Sequence, residues 1–330
     1  MICLGIECTA HTFGIGIIRD GEILANEKDT YTTEKGGIIP TEAAKHHHAV
    51  CDRILGAVLT SSGIRLEDVD LIAVANAPGL SPCLLAGMKI AKELSTQLKV
   101  PLVGVNHCIA HLEIGRFLTR AKDPVLLYSS GANTQIIAYA EGRYRIFGET
   151  LDMGIGNFID TFARSAGLGF PGGPKIEKLA LNTSDKNKLI ELPYSIKGMD
   201  VSFSGMLTNL EQRYQKKEAS VEDLSFSLQE TAFAMLIEAS ERAMAHLHKK
   251  ELLFGGGVAC NSRFQEMGKV MCQERGAKFF CPERPVLVDN GAMIAQLGIL
   301  MKKHAVSYKN LDKLDIKPYE RTDEVEVTWR

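Results

Sequence analysis

A strand–turn–strand plan that occurs twice constrains the fold of this 330-residue chain more than any other feature of the sequence. In residues 3–24, three apolar stretches are separated by turn residues, and residues 125–147 repeat the same plan. Two such units about 120 residues apart, each followed by helical and strand patterns, are typical of a duplicated fold. We therefore predict an α/β fold with two lobes, residues 1–122 and 123–330, that meet at the proline-containing stretch 121–124.

Hydrophobic periodicity adds helices and strands to this plan. Helical periodicity covers residues 41–61, 87–98, 159–167, 221–249 and about 290–303, and short apolar runs typical of buried strands cover residues 71–75, 102–105 and 251–254. Asp289 would lie at or next to the N-cap of the last helix. A carboxylate is favoured at that position and is held in one direction.

Composition narrows the class of protein. A net charge of −2 and a pI of about 6.5 do not indicate a nucleic-acid binder, which usually has a basic patch, so any RNA substrate needs local patches or partner proteins. The eight cysteines form no CxxC pair and several lie in apolar runs, which predicts buried reduced thiols and a cytoplasmic location. The longest uncharged run, residues 125–140, is interrupted by polar side chains, and the first residues carry no basic leader, so we expect neither a membrane span nor a secretion signal.

Two histidines four residues apart, His107 and His111, give the strongest chemical signal. On a helix this spacing puts both imidazoles on one face, and neutral imidazole is the commonest metal ligand. With Asp289 as a third ligand the pattern predicts a metal centre. The alternative is two polar residues on a half-exposed helix. A metalloprotease of the HExxH type would need a glutamate after the first histidine, and Cys108 occupies that position.

Three glycine-containing loops could hold a nucleotide. The turn at 130–134 offers backbone N–H groups and hydroxyls to phosphate oxygens, although a plain hairpin turn remains the simpler interpretation. The loop at 167–174 precedes a helix that contains Glu177, and the triple glycine 255–257 presents bare backbone to a flat base. Asp160 and Glu177 are suitable acceptors for ribose hydroxyls, or else part of an ordinary solvated helix face.

Taken together, these segments resemble the TsaD/Gcp/OSGEP family, the catalytic subunit of the KEOPS complex, in its archaeal or eukaryotic form. The matching segments are residues 36–40 (GGIIP) with His46 and His47, 106–111, 128–135, 148–152, 156–164, 170–177, 202–205, 255–261, 289–293 and 321–327. Cys8 and Ala132 stand where relatives often have glycine, so the two turns that contain them would differ slightly. The histidines at 46–48 are interpreted as surface or packing residues at least as readily as chemical ones.

The resemblance implies an actin, sugar kinase and heat-shock ATPase-like fold with the active site between the two lobes. It implies transfer of threonylcarbamoyl from threonylcarbamoyl-AMP to the N6 amine of the adenosine 3′ to the anticodon, in tRNAs that read codons starting with A. The implied metal ligands are His107, His111, Tyr128 and Asp289, with Fe²⁺ favoured and Zn²⁺ as the alternative. The implied adenylate-binding residues are Tyr128, Ser129, Ser130, Gly131, Ala132, Asp160, Gly173, Glu177 and Asn261.

The same resemblance implies the partners. These are tRNA, threonylcarbamoyl-AMP or ATP, and the KEOPS subunits, namely a RIO-type kinase, a small dimerising subunit and a regulatory subunit. No side chain in the sequence stands out as a general base. Two alternatives stay open: a small-molecule kinase of the same fold, which has no need of the histidines, and a non-catalytic ATP-binding scaffold.

Overall fold

The structure, a computed structural model, describes residues 1–33, 37–183, 185 and 189–330. Gly36, the first residue of one matching segment, lies outside these residues. The chain folds as two units. Unit 1 comprises Met1–Thr33, Gly37–Phe117 and Val288–Arg330, and unit 2 contains Leu118–Leu287.

Strands and helices alternate along most of the chain. The strands are β1 (Ile2–Glu7), β2 (Thr12–Arg19), β3 (Glu22–Thr30), β4 (Leu71–Ala77), β5 (Leu102–Asn106), β6 (Val125–Ser129), β7 (Thr134–Ala140), β8 (Arg143–Glu149), β9 (Ile196–Lys197), β10 (Asp200–Val201), β11 (Glu251–Gly255) and β12 (Lys278–Phe280). The helices are α1 (Pro40–Ser62), α2 (Ser81–Leu98), α3 (His107–Thr119), α4 (Ile155–Ser165), α5 (Gly173–Ala180), α6 (Ser204–Gln215), α7 (Val221–His246), α8 (Ser262–Glu274), α9 (Arg284–Leu287) and α10 (Gly291–Leu300).

Unit 1 is built on a five-stranded sheet in the order β3-β2-β1-β4-β5. The first three strands are antiparallel, and β4 and β5 run parallel to β1. Alternate residues of β1 face opposite sides of the sheet, because side chains in a strand have a period of two. Leu4 and Ile6 join the core formed with α1 and α2, while Cys3 and Gly5 face α10.

Helix α10 explains why the unit boundaries differ from the predicted lobes. The sequence predicts one lobe from residue 123 to 330, but Val288–Arg330 packs within unit 1. The backbone of α10 lies so close to the sheet that a Cβ on Gly5 would be 2.2 Å from the Ala295 nitrogen, and one on Gly16 would be 2.2 Å from the Ala292 nitrogen. Only glycine permits this approach, so β1 and β2 are shaped for a helix that follows them late in the sequence.

Unit 2 repeats the architecture. Its sheet has the order β12-β11-β6-β7-β8, in which β6, β7 and β8 are antiparallel and β11 and β12 are parallel to β6. The long helix α7 packs its apolar side chains into the core cluster of this unit, which also contains Val125 and Leu252. Two sheets with the same strand plan confirm the duplication predicted from the sequence.

The predicted elements correspond closely to the observed ones. Residues 41–61, 221–249 and 251–254 were predicted as two helices and a strand, and the structure has α1, α7 and β11 there. Asn290 is the N-cap of α10 through its side chain, so Asp289 is next to the cap. The eight cysteines are free thiols, six of them buried. Within the described residues, every helix is too short or too polar to cross a membrane.

Candidate functional site

Helix α3 carries both histidines in its first two turns. It begins at His107, directly after β5 ends at Asn106. The Asn106 side chain caps it, since its Oδ1 accepts hydrogen bonds from the backbone N–H groups of Cys108 (3.1 Å) and Ile109 (3.3 Å). Both imidazoles are therefore placed at the carboxyl end of a buried parallel strand.

The histidines and Asp289 converge as the sequence predicts. The Nε2 atom of His107 lies 3.4 Å from Asp289 Oδ1, and the Nε2 atom of His111 lies 3.2 Å from the same oxygen. The two imidazole rings are edge to face, with their centroids 4.8 Å apart. Both histidines are buried, whereas the Asp289 side chain is 18% exposed, which leaves one side of the cluster open.

Glu7 fixes the orientation of His107. Its Oε2 lies 2.9 Å from His107 Nδ1, and its Oε1 accepts from the Thr9 backbone N–H (2.8 Å) and the Thr9 hydroxyl (2.6 Å). Because the carboxylate can only accept, Nδ1 must carry a proton, and in the neutral imidazole Nε2 then has a lone pair for a metal ion. A carboxylate behind a ligating histidine is the usual device for selecting its tautomer.

Electrostatics favour an ionised Asp289 and a neutral His111. Burial by itself raises the pKa of Asp289, but the two histidines, His107 above all, hold that pKa well below its usual range. Burial lowers the pKa of His111, an effect that its hydrogen bond with Asp289 opposes and the neighbouring His107 reinforces. An ionised carboxylate and a neutral imidazole are the protonation states that metal binding requires.

The spacing of the donors fits a transition-metal ion. Two ligand atoms held tetrahedrally at about 2.1 Å from one ion lie about 3.4 Å apart, which matches the distances from the two histidines to Asp289. The ligand atoms of His107, His111 and Asp289 all lie within 4.8 Å of one another. Two imidazoles and one carboxylate suit iron or zinc better than magnesium or calcium, which prefer oxygen donors.

Tyr128, the fourth predicted ligand, is in unit 2. It lies next to the last residue of β6 and is buried. The structure therefore brings together three of the four predicted ligands in one unit, and the fourth stays a prediction.

The turn after β6 closes over the start of α4. The carbonyls of Ser130 and Gly131 accept hydrogen bonds from the backbone N–H groups of Gly156 (3.0 Å) and Asn157 (2.9 Å). The N-terminal N–H groups of α4 are thus already used. Gly131 and Ala132 are exposed, and their own amides form no hydrogen bond within the described part of the chain. These two amides are the donors that this turn can offer to a ligand.

A second loop lies beside this turn. Strand β11 pairs with β6 so that Gly255 is opposite Tyr128, and Gly256 follows with a positive φ of 89°. A Cβ on Gly256 would be 2.4 Å from the Ser129 carbonyl oxygen. Two loops therefore meet at the carboxyl ends of adjacent parallel strands, where ligands bind in open α/β sheets.

The remaining predicted adenylate residues form internal hydrogen bonds in unit 2. Asp160 Oδ1 accepts from the Gly172 N–H at 2.7 Å, and Glu177 Oε1 accepts from the backbone N–H and hydroxyl of Ser262 at 2.8 and 2.7 Å. Asn261 caps α8 through Phe264, and Gly173 is the first residue of α5, with open space where a Cβ would be. Both carboxylates therefore hold loops together. This role differs from the two predicted from the sequence, which were acceptors for ribose hydroxyls and an ordinary solvated helix face.

Sequence reasoning missed Glu7, Thr9 and Gln229. Gln229 is a buried residue of α7 whose Oε1 accepts from Asn261 Nδ2 at 2.7 Å. The signal for Glu7 was available, since it is a single carboxylate at the end of the otherwise apolar strand ICLGIE. The signal for Gln229 was weak, because polar residues are common in long helices.

Two five-stranded sheets with the same strand plan define an actin, sugar kinase and heat-shock ATPase-like fold, and the two-histidine, one-aspartate cluster is a site that could hold a metal ion. The activator of the 2-hydroxyisocaproyl-CoA dehydratase from Clostridium difficile has a similar fold. Its TM-score is 0.54 at 12% identity, and the match covers 95% of this chain and 96% of that one.

The chain belongs to the TsaD family of tRNA N6-adenosine threonylcarbamoyltransferases, whose family model matches residues 22–296. The protein of that name from Thermococcus kodakarensis is 55% identical over 329 residues, which cover 100% of both chains. A probable bifunctional tRNA threonylcarbamoyladenosine biosynthesis protein from Methanosarcina mazei is 51% identical. That match covers 99% of this chain and 59% of the longer relative.

Proposed function

We propose that this chain transfers the threonylcarbamoyl group of threonylcarbamoyl-AMP to the N6 amine of the adenosine 3′ to the anticodon, in tRNAs that read A-starting codons. The His107–His111–Asp289 cluster, in a chain of this family, is the observation that carries the proposal. In the reaction the amine nitrogen bonds to the carbamoyl carbon, the bond from that carbon to the phosphate oxygen breaks, AMP leaves, and the amine loses one proton.

The cluster supports a role in holding one divalent ion. His107, His111 and Asp289 would bind it, with Tyr128 as the fourth ligand implied by the family, and Fe²⁺ is favoured over Zn²⁺. When bound, the ion would supply a Lewis acid and a template for the threonylcarbamoyl end of the substrate. The chain itself contributes the fixed directions of the two imidazoles, and Glu7 holds the proton of His107 on Nδ1.

The loops of unit 2 support adenylate binding. Exposed amides at Gly131 and Ala132 would donate to the phosphate, and Ser129 and Ser130, also implied by the family as adenylate-binding residues, directly precede them. The ribose and base would contact Asp160, Gly173, Glu177 and Asn261. ATP is the second candidate for the same residues. Because the amine is a weak nucleophile, alignment of the two reactants must supply much of the rate.

The lobes and partners are also proposals. Unit 1 and unit 2 would be the two functional lobes, with residues 288–330 in the first. We propose a cytoplasmic protein that works with the KEOPS subunits, namely a RIO-type kinase, a small dimerising subunit and a regulatory subunit. The longer bifunctional relatives support the idea that a second protein acts beside this chain. The small net charge of −2 fits a need for help in binding tRNA.

A transfer assay tests the proposal. Labelled threonylcarbamoyl-AMP and an unmodified tRNA are incubated with metal-loaded wild type or His111→Ala, each with and without partner subunits. We expect product with wild type and a loss of about 100-fold or more in His111→Ala. Tight nucleotide binding without transfer under any combination would favour a scaffold, and phosphorylation of a small molecule would favour a kinase.

A further inference from the structure

Residues 315–330 lie along unit 1 in mostly irregular conformation. The segment begins beside β4, where Asn76 Nδ2 donates to the Asp315 carbonyl (2.9 Å) and the Asn76 carbonyl accepts from the Lys317 N–H (2.8 Å). Near its other end, half-buried Val325, Val327 and Trp329 alternate with exposed Glu324, Glu326 and Thr328. Alternation of this kind shows that one side of the segment packs against the protein.

The segment contacts the start of α3. Glu320 Oε2 accepts a hydrogen bond from Asn106 Nδ2 at 3.2 Å. Asn106 uses its other amide atom, Oδ1, to cap the helix, so Glu320 holds the amide in the orientation that capping requires. If the amide turned over, its NH₂ group would face the Cys108 N–H, and the cap would be lost.

The segment also contacts the helix beyond His111. Trp329 Nε1 donates to Glu113 Oε1 at 2.8 Å, and Arg116 Nη1 donates to Glu113 Oε2 at 2.7 Å. Glu113 is only 3% exposed. A buried carboxylate depends on its hydrogen bonds more than an exposed one, because water cannot replace a missing donor.

A third contact lies between these two. Thr322 is 2% exposed and makes a hydrogen bond with the thiol of Cys108, the residue after His107. Glu320, Thr322 and Trp329 thus contact the cap residue Asn106 before the first histidine, Cys108 between the two histidines, and Glu113 after the second.

We propose that residues 315–330, which we name the α3 brace, are a positioning element of the metal centre. Their contacts with Asn106, Cys108 and Glu113 fix the position of α3 along its axis and its rotation about that axis. In this position His107 and His111 meet Asp289. The inference rests on the metal centre proposed above. The three contacts described above involve Asn106, Cys108 and Glu113 and no proposed metal ligand, so we infer that their effect is transmitted through α3. The brace gives a role to the matching segment 321–327, which the proposed chemistry does not use.

Affinity for Co²⁺, measured in competition with a chelator on the full chain, tests the brace. The variants are Trp329→Phe, which keeps an aromatic ring and removes the Nε1 donor to Glu113, and Glu320→Ala. Glu326→Gln, an exposed change in the same segment, is the control. We expect about tenfold weaker binding in each of the first two, at the low end for residues that orient metal ligands, with a changed visible Co²⁺ spectrum. The control should bind Co²⁺ as wild type does, and the metal-free variants should stay folded at the assay temperature, although the lost hydrogen bonds lower their thermal stability.

The outcomes separate the brace from the metal centre. If Trp329→Phe and Glu320→Ala both bind Co²⁺ as tightly as wild type does, the role proposed for the α3 brace is refuted and the metal centre is not. A weaker affinity that appears only under conditions where the metal-free variant is partly unfolded would also overturn it, because the segment would then act on the whole fold. Wild-type protein that binds no Co²⁺ would refute the proposed metal centre, and the brace with it.

Discussion

Replacing Glu7 by glutamine removes one charge and almost no volume, and it tests how the metal centre is held. The carboxylate accepts three hydrogen bonds, one from His107 Nδ1 and two from Thr9. A carboxamide cannot reproduce this pattern. If its oxygen faces His107, its NH₂ group meets the Thr9 N–H. If its NH₂ group faces His107, Nδ1 must accept, the ring proton moves to Nε2, and Nε2 can no longer bind a metal.

Either orientation of the glutamine amide is expected to weaken metal binding. Loss of a group that orients a metal-binding histidine costs about 10- to 100-fold in metal affinity, which is about 1.4 to 2.7 kcal/mol. Because Glu7 is fully buried and contacts His107 at 2.9 Å, we expect the upper half of that range for Glu7→Gln. Chelator competition with Zn²⁺ or Co²⁺ measures the affinity.

A matched control separates this effect from a change of net charge. Glu67→Gln makes the same substitution at an exposed position of unit 1 and should bind metal as wild type does. Metal affinity in Glu7→Gln within a factor of two of wild type would refute the argument that this carboxylate selects the His107 tautomer.

The remaining predictions concern stability. Burial, with the neighbouring His46, lowers the pKa of His47 to about 4. The unfolded chain, with a histidine pKa near 6.5, therefore binds the extra proton first, so stability is complete above about pH 6.5 and falls towards pH 4 by up to about 3 kcal/mol. Urea unfolding at several pH values should show a smaller fall in His47→Leu, and an equal fall would contradict the assignment. Gly256→Ala should cost about 3 kcal/mol, because it combines a positive φ with a Cβ 2.4 Å from the Ser129 oxygen. Gly142→Ala has a similar φ of 80° but no atom within 4 Å of the new Cβ, so it should cost only about 1 kcal/mol. Equal losses in the two alanine variants would show that the close approach of the loops is unimportant.

Local patterns account for most of what the sequence could predict. Alternation and apolar runs predicted the strands of both sheets, and the four-residue spacing of His107 and His111 predicted two ligands on one helix face. The convergence of Asp289 with them was also predicted, although 178 residues separate it from His111. That contact came from the family resemblance and from the chemistry of the ligand types, since no local pattern encodes it.

Long-range packing accounts for what was missed. The association of α10 with β1 and β2 depends on Gly5 and Gly16, whose meaning appears only when the opposing helix is known. In the sequence Glu7 looks like the end of a strand. Its role depends on a contact with His107, which lies 100 residues further along the chain. Asp160 and Glu177 are predicted as ligand acceptors, and their bonds to Gly172, 12 residues away, and to Ser262, 85 residues away, are contacts that no local pattern predicts.

Transfer measured against metal occupancy tests the central claim most directly. Metal-depleted protein, with its partner subunits, is titrated with Fe²⁺ or Zn²⁺ under single-turnover conditions, and bound metal and modified tRNA are measured on the same samples. The account predicts that product rises in proportion to bound metal, reaches its limit at about one ion per chain, and is absent in His107→Ala and His111→Ala. Transfer at the full rate by metal-free protein would contradict it.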